Sequence, residues 1–458
     1  MPNHEPIADG VYDLIRDENW SQTAASLAEM HPADIADVID RSPREACETL
    51  FNLLADDVKP DVLSELEKTA GGEVLESLGN RELAKIVSRM SPDDAADVLA
   101  ALPDERSEQV LGLMKDEESD DVRQLLEYDE DSAGGIMTTD LVVMREQQTV
   151  AEALEAIAYL DVEERFVYAY VVDAAGRLIG YIDIWQLLRE RNRSRRLGEL
   201  VQREFRAAQV DMDQEAVAHL AAQYDLDVVP VLDENGVLLG RITSDDIMDV
   251  MEEEASEDIF RLAGSDDAEL ESASVVKRCL VRLPWLLITL VGGFAMSVIL
   301  KYFHARIADV IVLAAFVPVV LAMGGNTGIQ SSTLVIRRIA VGGLQGRSLP
   351  FMLLREVLTG ALMGLVCGAA IGLWAHSVIA RGSATMALDP LHLAAVVGLA
   401  LFASMTFAAV FGAFMPLVLN RIKVDPAVAS GPFITMANDI AALLIYFGIT
   451  VLLVRSLG

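Results

Sequence analysis

Cysteine is scarce in this chain. Cys47, Cys279 and Cys367 are scattered and odd in number, which excludes a disulfide framework and a Cys-rich zinc motif. Positive charge is scarce too. Lys and Arg total 36 against 70 Asp and Glu, a formal net charge of −34. Such a balance excludes nucleic acid as a partner, because phosphates need a basic surface. The amino terminus, MPNHEPIADG, is polar and lacks the pattern of a secretory signal. No nucleotide-hydrolysing P-loop and no HExxH pattern occurs, so the chain is not read as an enzyme. The sharpest scarcity is of acids after residue 282. Only Asp309, Glu356, Asp389, Asp425 and Asp439 occur there, with ten Lys and Arg. The first 282 residues hold 65 acids and 26 bases, a net of −39. An acidic soluble half therefore precedes a nearly acid-free hydrophobic half. The acidic half has two readings: an ordinary solvated surface, or a sensor for hard cations, which prefer carboxylate oxygen.

What is present is organised in repeats. Residues from about 11 to 136 read as short amphipathic helices. HPADIADVID at 31–40 is echoed by SPDDAADVLA at 91–100, and Pro32 and Pro43 recur as Pro92 and Pro103. Ser or His before Pro, with acids behind, makes a helix start. A helical repeat array is expected. A second repeat follows Met137. YVVDAAGRLIGYIDIWQLL returns about sixty residues later as PVLDENGVLLGRITSDDIMDV, each copy reading strand, Asp–Gly turn, strand, helix. The pair resembles tandem cystathionine-β-synthase (CBS) modules, a regulatory α/β unit that binds adenosyl ligands or ions. From Glu252 to Arg282 the pattern is again helical, acidic at its start (EEEASED) and basic at its end (KRCLVR).

Five apolar segments follow, roughly 283–303, 309–338, 351–380, 391–419 and 430–455. Each is long enough to cross a ~30 Å hydrocarbon layer. Lys277, Arg278, Arg282, Arg337, Arg338, Arg347, Arg355, Arg421 and Lys423 fall on one side of the membrane. Lys301, Arg306, Arg381 and Arg455 fall on the other. The richer side is the cytoplasmic one, which puts the amino-terminal half in the cytosol and the carboxyl terminus outside. Five spans are few for a pore, so a homo-oligomer is expected.

Two features carry chemistry. PVVLAMGGNTGIQ at 318–330 places Gly324, Gly325, Asn326 and Gly328 inside an apolar run, where irregular backbone is tolerated only against protein or a water-filled path. A broken second span is expected there. Asp439 is the one acid deep in a span, where a carboxylate costs at least ~2.5 kcal/mol and should face a cavity or a cation. Its structural alternative is a helix cap or a partner in another span. Gly431 and Pro432 should unwind the start of the fifth span, exposing a carbonyl such as that of Thr435. Asp439, Asn326, Gly325 and Thr435 would line an all-oxygen path suited to hydrated Mg²⁺, which dehydrates reluctantly; the chemistry alone leaves Mn²⁺, Ca²⁺ and Na⁺ open.

DEDSAGGIMT ahead of the CBS pair, PVVLAMGGNTGIQSSTLVIR and DPAVASGPFITMANDI together resemble the MgtE family of magnesium channels and transporters over nearly the whole chain. The resemblance implies a helical cytosolic N-domain (1–136), a tandem CBS domain (137–258), a connecting helix (259–282) and a five-helix transmembrane domain (283–458). It implies a homodimer in the cytoplasmic membrane, in contact with lipid, with its pore on the two-fold axis. It also implies that cytosolic Mg²⁺ binds between acidic domains and closes the gate. Asp439 matches the pore carboxylate and Asn326 the asparagine of the GGN string. Asp93 and Asp97 match the N-domain acids of the sensor. Asp225, Asp246, Asp249, Glu254, Glu257 and Asp258 match those of the second CBS module and connecting helix. Gly431 and Ile329 stand where some members have Asn. GRITSDD also resembles the CBS phosphoribose pattern, making Thr243 and Asp246 candidates for an ATP site. In the first module Asp183 replaces the hydroxyl residue. The competing reading is a membrane-anchored divalent-cation or nucleotide sensor without transport. The glycine spacing of LTGALMGLVCGAAIG at 358–372 fits helix packing alone.

Overall fold

A computed structural model describes residues 5–159, 166–263, 265, 275–304, 313–340, 349–381, 389–424, 426 and 431–457. The chain forms two compact units, Met1–Glu253 and Glu254–Gly458.

The first unit opens with short helices, among them α1 (Glu5–Arg16), α2 (Trp20–Leu27), α3 (Pro32–Asp40), α4 (Arg44–Asn52) and α5 (Lys59–Ser64). They continue as α6 (Lys68–Ser77), α7 (Asn80–Val87), α8 (Pro92–Ala100), α9 (Asp104–Leu111) and α10 (Asp116–Leu125). The repeat read in the sequence is visible at α3 and α8. Each has Pro at its first position, and each is capped by the residue before it: His31 accepts from the Ala33 amide and Ser91 from that of Asp94. These helices bury one face each, led by Leu27, Ile39, Leu50, Phe51, Leu83 and Leu99.

Two three-stranded sheets follow. The first has β1 (Val143–Arg145), β2 (Tyr168–Val172) and β3 (Leu178–Asp183), flanked by α11 (Val150–Ala158) and α12 (Ile184–Arg189). The second has β4 (Ala208–Gln209), β5 (Val229–Leu232) and β6 (Leu238–Ile242), flanked by α13 (Gln214–Tyr224) and α14 (Ser244–Ala263). In both, the first pair is parallel and the second antiparallel. The Asp–Gly turns have the same build. Asp173 Oδ1 accepts from the amides of Ala175 and Arg177, and Asp233 Oδ1 from those of Asn235 and Val237. Gly176 and Gly236 take φ of +81° and +79°, which favours a residue without Cβ. The two turns then bond to each other through the Leu178 and Leu238 amides. The core of the N-terminal helices runs on into the second sheet through Met137, Ala208, Val229, Val231 and Ile242, whereas the first sheet keeps a core of its own.

The connecting helix is only partly within view. α14 ends at Ala263, and α15 begins at Val275 and runs to His304, so the basic end of the expected connector and the first span form one helix. Gly264 and residues 266–274 lie outside the described residues.

The second unit also holds α16 (Val317–Ala340), α17 (Leu349–Arg381), α18 (Pro390–Arg421) and α19 (Pro432–Leu457). With α15 these are five helices long and apolar enough to cross a membrane. α18 is the most enclosed and α15 the least. The glycines of α17 serve packing, as their spacing predicts. A Cβ on Gly364 would lie 2.8 Å from Phe402 O, and one on Gly360 2.6 Å from Ala409 Cβ.

The expected break in the second span does not occur. α16 is unbroken through Gly324, Gly325 and Asn326. Glycine in a helix interior costs about 1 kcal/mol relative to Ala, which tertiary packing can offset. The same need to satisfy every backbone group in lipid favours the intact helix. The glycines instead permit close approach: a Cβ on Gly324 would lie 3.3 Å from Ala442 Cβ.

Candidate functional site

In the membrane unit, Asp439 is half-buried and faces a cavity of about 420 Å³. Thr289 and Met296 of α15, Ile329 of α16, and Gly431, Thr435 and Met436 share this lining. Gly325 brings the α16 backbone close to the carboxylate; a Cβ there would lie 3.5 Å from Asp439 Oδ1 and 3.6 Å from Thr435 Cγ2. Pro432 opens α19 as its first residue, and Thr435 follows in the first turn, its Oγ1 donating to Gly431 O at 2.9 Å. The helix start is therefore where Gly431 and Pro432 predict. The carbonyl of Thr435 is not freed, because it already lies in the helix.

Asn326 is placed elsewhere. It lines a separate cavity of about 410 Å³ with Thr327, Gln330, Leu362 and Cys367, among α16, α17 and α18. Adjacent helix residues differ by about 100° in direction, so Gly325 and Asn326 cannot both face Asp439. Sequence reading passed over two polar features of this unit. Ser331 Oγ donates to Glu356 Oε2 at 2.8 Å, and Asn438, beside Asp439, is 1% exposed. The polarity of both was visible in the chain; their burial was not.

In the first unit, acids from distant segments gather at the starts of α8 and α14. Asp93 is 8% exposed and its Oδ1 has no hydrogen-bond partner. Desolvation by burial pushes Asp246 up to about 7, with Asp93 the next contributor. Asp97 rises to about 7 through desolvation and then through Asp93, Asp94, Glu130 and Asp246. Asp97 is solvent-exposed, so solvent screens part of that effect. Asp93 and Asp94 rise to about 6, chiefly through desolvation. Glu65 is raised by desolvation and by Asp249 and Asp245, and Asp249 by desolvation and by Asp245. Asp93, Asp97, Asp246 and Asp249 are thus brought together, joined by Asp94, Asp245, Glu65 and Glu130. Asp94 and Asp245 adjoin the expected acids in sequence. Glu65 arrives from the turn that ends α5, and no local signal marks it.

The other sequence candidates have different surroundings. Asp225 ends α13 in the left-handed conformation at φ 52°, its amide bonded to Ala221 O. Glu254, Glu257 and Asp258 lie further along α14, where Glu257 pairs with Arg261. Thr243 and Asp246 cap α14. The Thr243 amide and Oγ1 bond to Asp246 Oδ2 at 2.9 and 2.6 Å. Asp183 is itself the N-cap of α12, accepting from the Trp185 amide at 2.7 Å. A helix cap accounts for both positions.

The all-carboxylate donor set and the orphaned Asp93 oxygen fit a hard cation. Among the described residues no three such side chains converge closely enough to hold one, so binding requires them to draw together.

These raised values set a pH dependence. The folded carboxyls hold protons that the unfolded chain, with a reference value of 3.8, has released. Between about pH 4 and 7 the folded state therefore binds more protons, and stability falls as pH rises. Asp173 and Asp233 are held low by backbone amides and act oppositely, losing stability only in more acid solution. Thermal melts of the full chain in detergent with chelator should show a higher Tm at pH 5.5 than at pH 7.5. Equal values would exclude this coupling.

The chain is similar to known proteins along most of its length. Residues 317–449 match the divalent cation transporter model of the MgtE family, 30–131 the MgtE intracellular N domain, and 133–193 and 197–253 the CBS domain. The magnesium transporter MgtE of Bacillus subtilis (strain 168) is 33% identical over 445 residues, 97% of this chain and 96% of that one. That of Thermus thermophilus is 39% identical over 332 residues, 72% of this chain and 71% of its own. A crystal structure of the cytosolic domain of the Mg²⁺ channel MgtE in complex with ATP covers 53% of this chain and 99% of that one, at 33% identity and TM-score 0.49. With five apolar helices behind a soluble amino-terminal region, this chain is a multi-pass membrane protein and belongs to the MgtE family.

Proposed function

We propose that the protein carries Mg²⁺ across the cytoplasmic membrane, that Asp439 attracts the hydrated cation, and that cytosolic Mg²⁺ closes the path. The carrying observation is Asp439 itself: an acid within an apolar helix, facing a cavity with Thr289 and Thr435. The full-length relatives named magnesium transporters support Mg²⁺ as the cargo. A homodimer places two such cavities about one axis, with lipid around the outer helices. The charge distribution supports a cytosolic amino-terminal half and an external carboxyl terminus. The functional parts divide at residues 136, 258 and 282.

In the first unit, Mg²⁺ would draw Asp93, Asp97, Asp246 and Asp249 together. Repulsion among them opposes the compact arrangement, and a bound divalent ion favours it by its differential affinity. Asp225, Glu254, Glu257 and Asp258 are proposed as ligands completed by that movement. Liposome flux of Mg²⁺, Mn²⁺, Ca²⁺ and Na⁺, with and without Mg²⁺ on the side of the soluble domains, tests both parts. Absence of any cation flux would favour the anchored sensor.

A second ligand has one observation in its favour. Tyr170 OH and Thr139 Oγ1 are buried without partners in the CBS pair. An adenine nucleotide such as ATP offers groups to satisfy them, and Thr243 and Asp246 belong to the second module of the same pair. Calorimetric titration of the full chain with ATP should show binding that Tyr170→Phe weakens roughly tenfold, the equivalent of ~1.4 kcal/mol. No heat of binding in the parent protein would remove the nucleotide.

A further inference from the structure

Asn438 is adjacent to Asp439 on α19 but does not share its cavity. It is 1% exposed, and neither Oδ1 nor Nδ2 has a hydrogen-bond partner. An unsatisfied buried polar group costs about 1–3 kcal/mol, so its presence needs a reason. An apolar side chain of similar size would fill the space without that penalty.

Gly328 of α16 forms the seat. A Cβ on Gly328 would overlap Asn438 Nδ2 and lie 2.9 Å from its Cγ, with Ala408 O of α18 3.6 Å from the same point. Gly412 of α18 also closes on Gly328; its own added Cβ would lie 2.9 Å from Gly328 Cα. Asn438 therefore sits where three helices meet. One turn along α19, Ser404 Oγ of α18 donates to Ala442 O at 3.4 Å, and Gly324 of α16 faces Ala442. The contact is a continuous seam rather than a single touch. Such a seat admits only a narrow range of helix rotations. Because consecutive side chains are held about 100° apart, the angle of Asn438 sets the angle of Asp439.

We infer that Asn438 is a positioning residue for cation passage: seated against Gly328, it fixes the rotation of α19 and so aims the Asp439 carboxylate into its cavity. The inference rests on Asp439 acting as the pore carboxylate.

Mg²⁺ flux into proteoliposomes holding the full chain, measured across external Mg²⁺, tests it. Asn438→Ala should raise the half-saturating Mg²⁺ concentration roughly tenfold, since small displacements of a positioned group have effects of this size or larger. Half-saturation does not depend on how much active protein survives reconstitution, so a lower yield alone cannot imitate it. Gly328→Ala should lose most flux, and Gly328→Ala combined with Asn438→Ala should return to the level of Asn438→Ala, because removing the amide makes room for the methyl group. A wild-type half-saturation in Asn438→Ala overturns the inference, as does a double variant no better than Gly328→Ala. Asp439→Ala run in parallel separates the two ideas. Normal flux there removes the pore reading itself, whereas lost flux there with unchanged Asn438→Ala removes only the positioning role.

Discussion

Asp439→Ala is expected to reduce Mg²⁺ flux by about 100-fold while leaving a folded protein, because a cleft of one charge sign raises the local cation concentration by roughly 10–1000-fold. Among the described residues of the second unit it is the carboxylate that lines the cavity with Thr289 and Thr435. Removing it takes away the charge and leaves hydroxyls and helix backbone. Folding should survive, because a membrane helix is more easily inserted without an acid at that depth. Asp439→Asn refines the point. It keeps the shape and an oxygen ligand, so flux near wild type in that variant would assign the role to shape rather than charge. Flux should be read in proteoliposomes with a Mg²⁺ indicator. Undiminished uptake through a monodisperse Asp439→Ala protein would take Asp439 out of the path.

The second large effect belongs to the acids of the first unit. Asp93→Asn together with Asp246→Asn should shift inhibition by cytosolic Mg²⁺ at least roughly tenfold to higher concentration, since ligand charge tunes divalent affinity over decades. These two are chosen because burial raises both, with Asp94 adding to Asp93 and Asp93 to Asp246, and because Asp93 Oδ1 lacks a partner. Two consequences compete. Losing the carboxylates removes a ligand, yet it also removes repulsion and so favours compaction without metal. The first should dominate, because one divalent ion at short range offsets several carboxylates. Exposed charges beyond ~8 Å are screened at physiological salt, so neighbours that do not converge matter less. Glu254→Ala, Glu257→Ala and Asp258→Ala combined should therefore shift inhibition less than the Asp93/Asp246 pair. Patch recordings over a range of cytosolic Mg²⁺ would decide it. An unchanged inhibition curve in the Asp93/Asp246 variant would exclude this cluster as the sensor.

Local patterns were legible wherever the physics is local. Pro32 and Pro92 mark helix starts because a proline lacks an amide that the first turn cannot use anyway. Gly176 and Gly236 mark turns because their positive φ excludes most side chains. The five spans stand out because the hydrocarbon layer sets their length and apolarity. Asp439 stands out because an acid there is costly. The order of modules, most of their secondary structure and the candidate pore acid could therefore be read along the chain.

Contacts between segments far apart in the chain could not, and these came from the packing alone. The glycines of GGNTG look like a break when read along the sequence. They become a packing surface once Ala442 and Asn438 of α19 are set against them. Asn326 turns away from Asp439 because a helix separates neighbours by about 100°, which is decided by the helix remaining intact. Glu65 joins Asp245 and Asp249 only because the N-terminal helices share a core with the second sheet. Periodicity and capping are written within a few residues, whereas burial of a polar atom depends on which distant backbone approaches it.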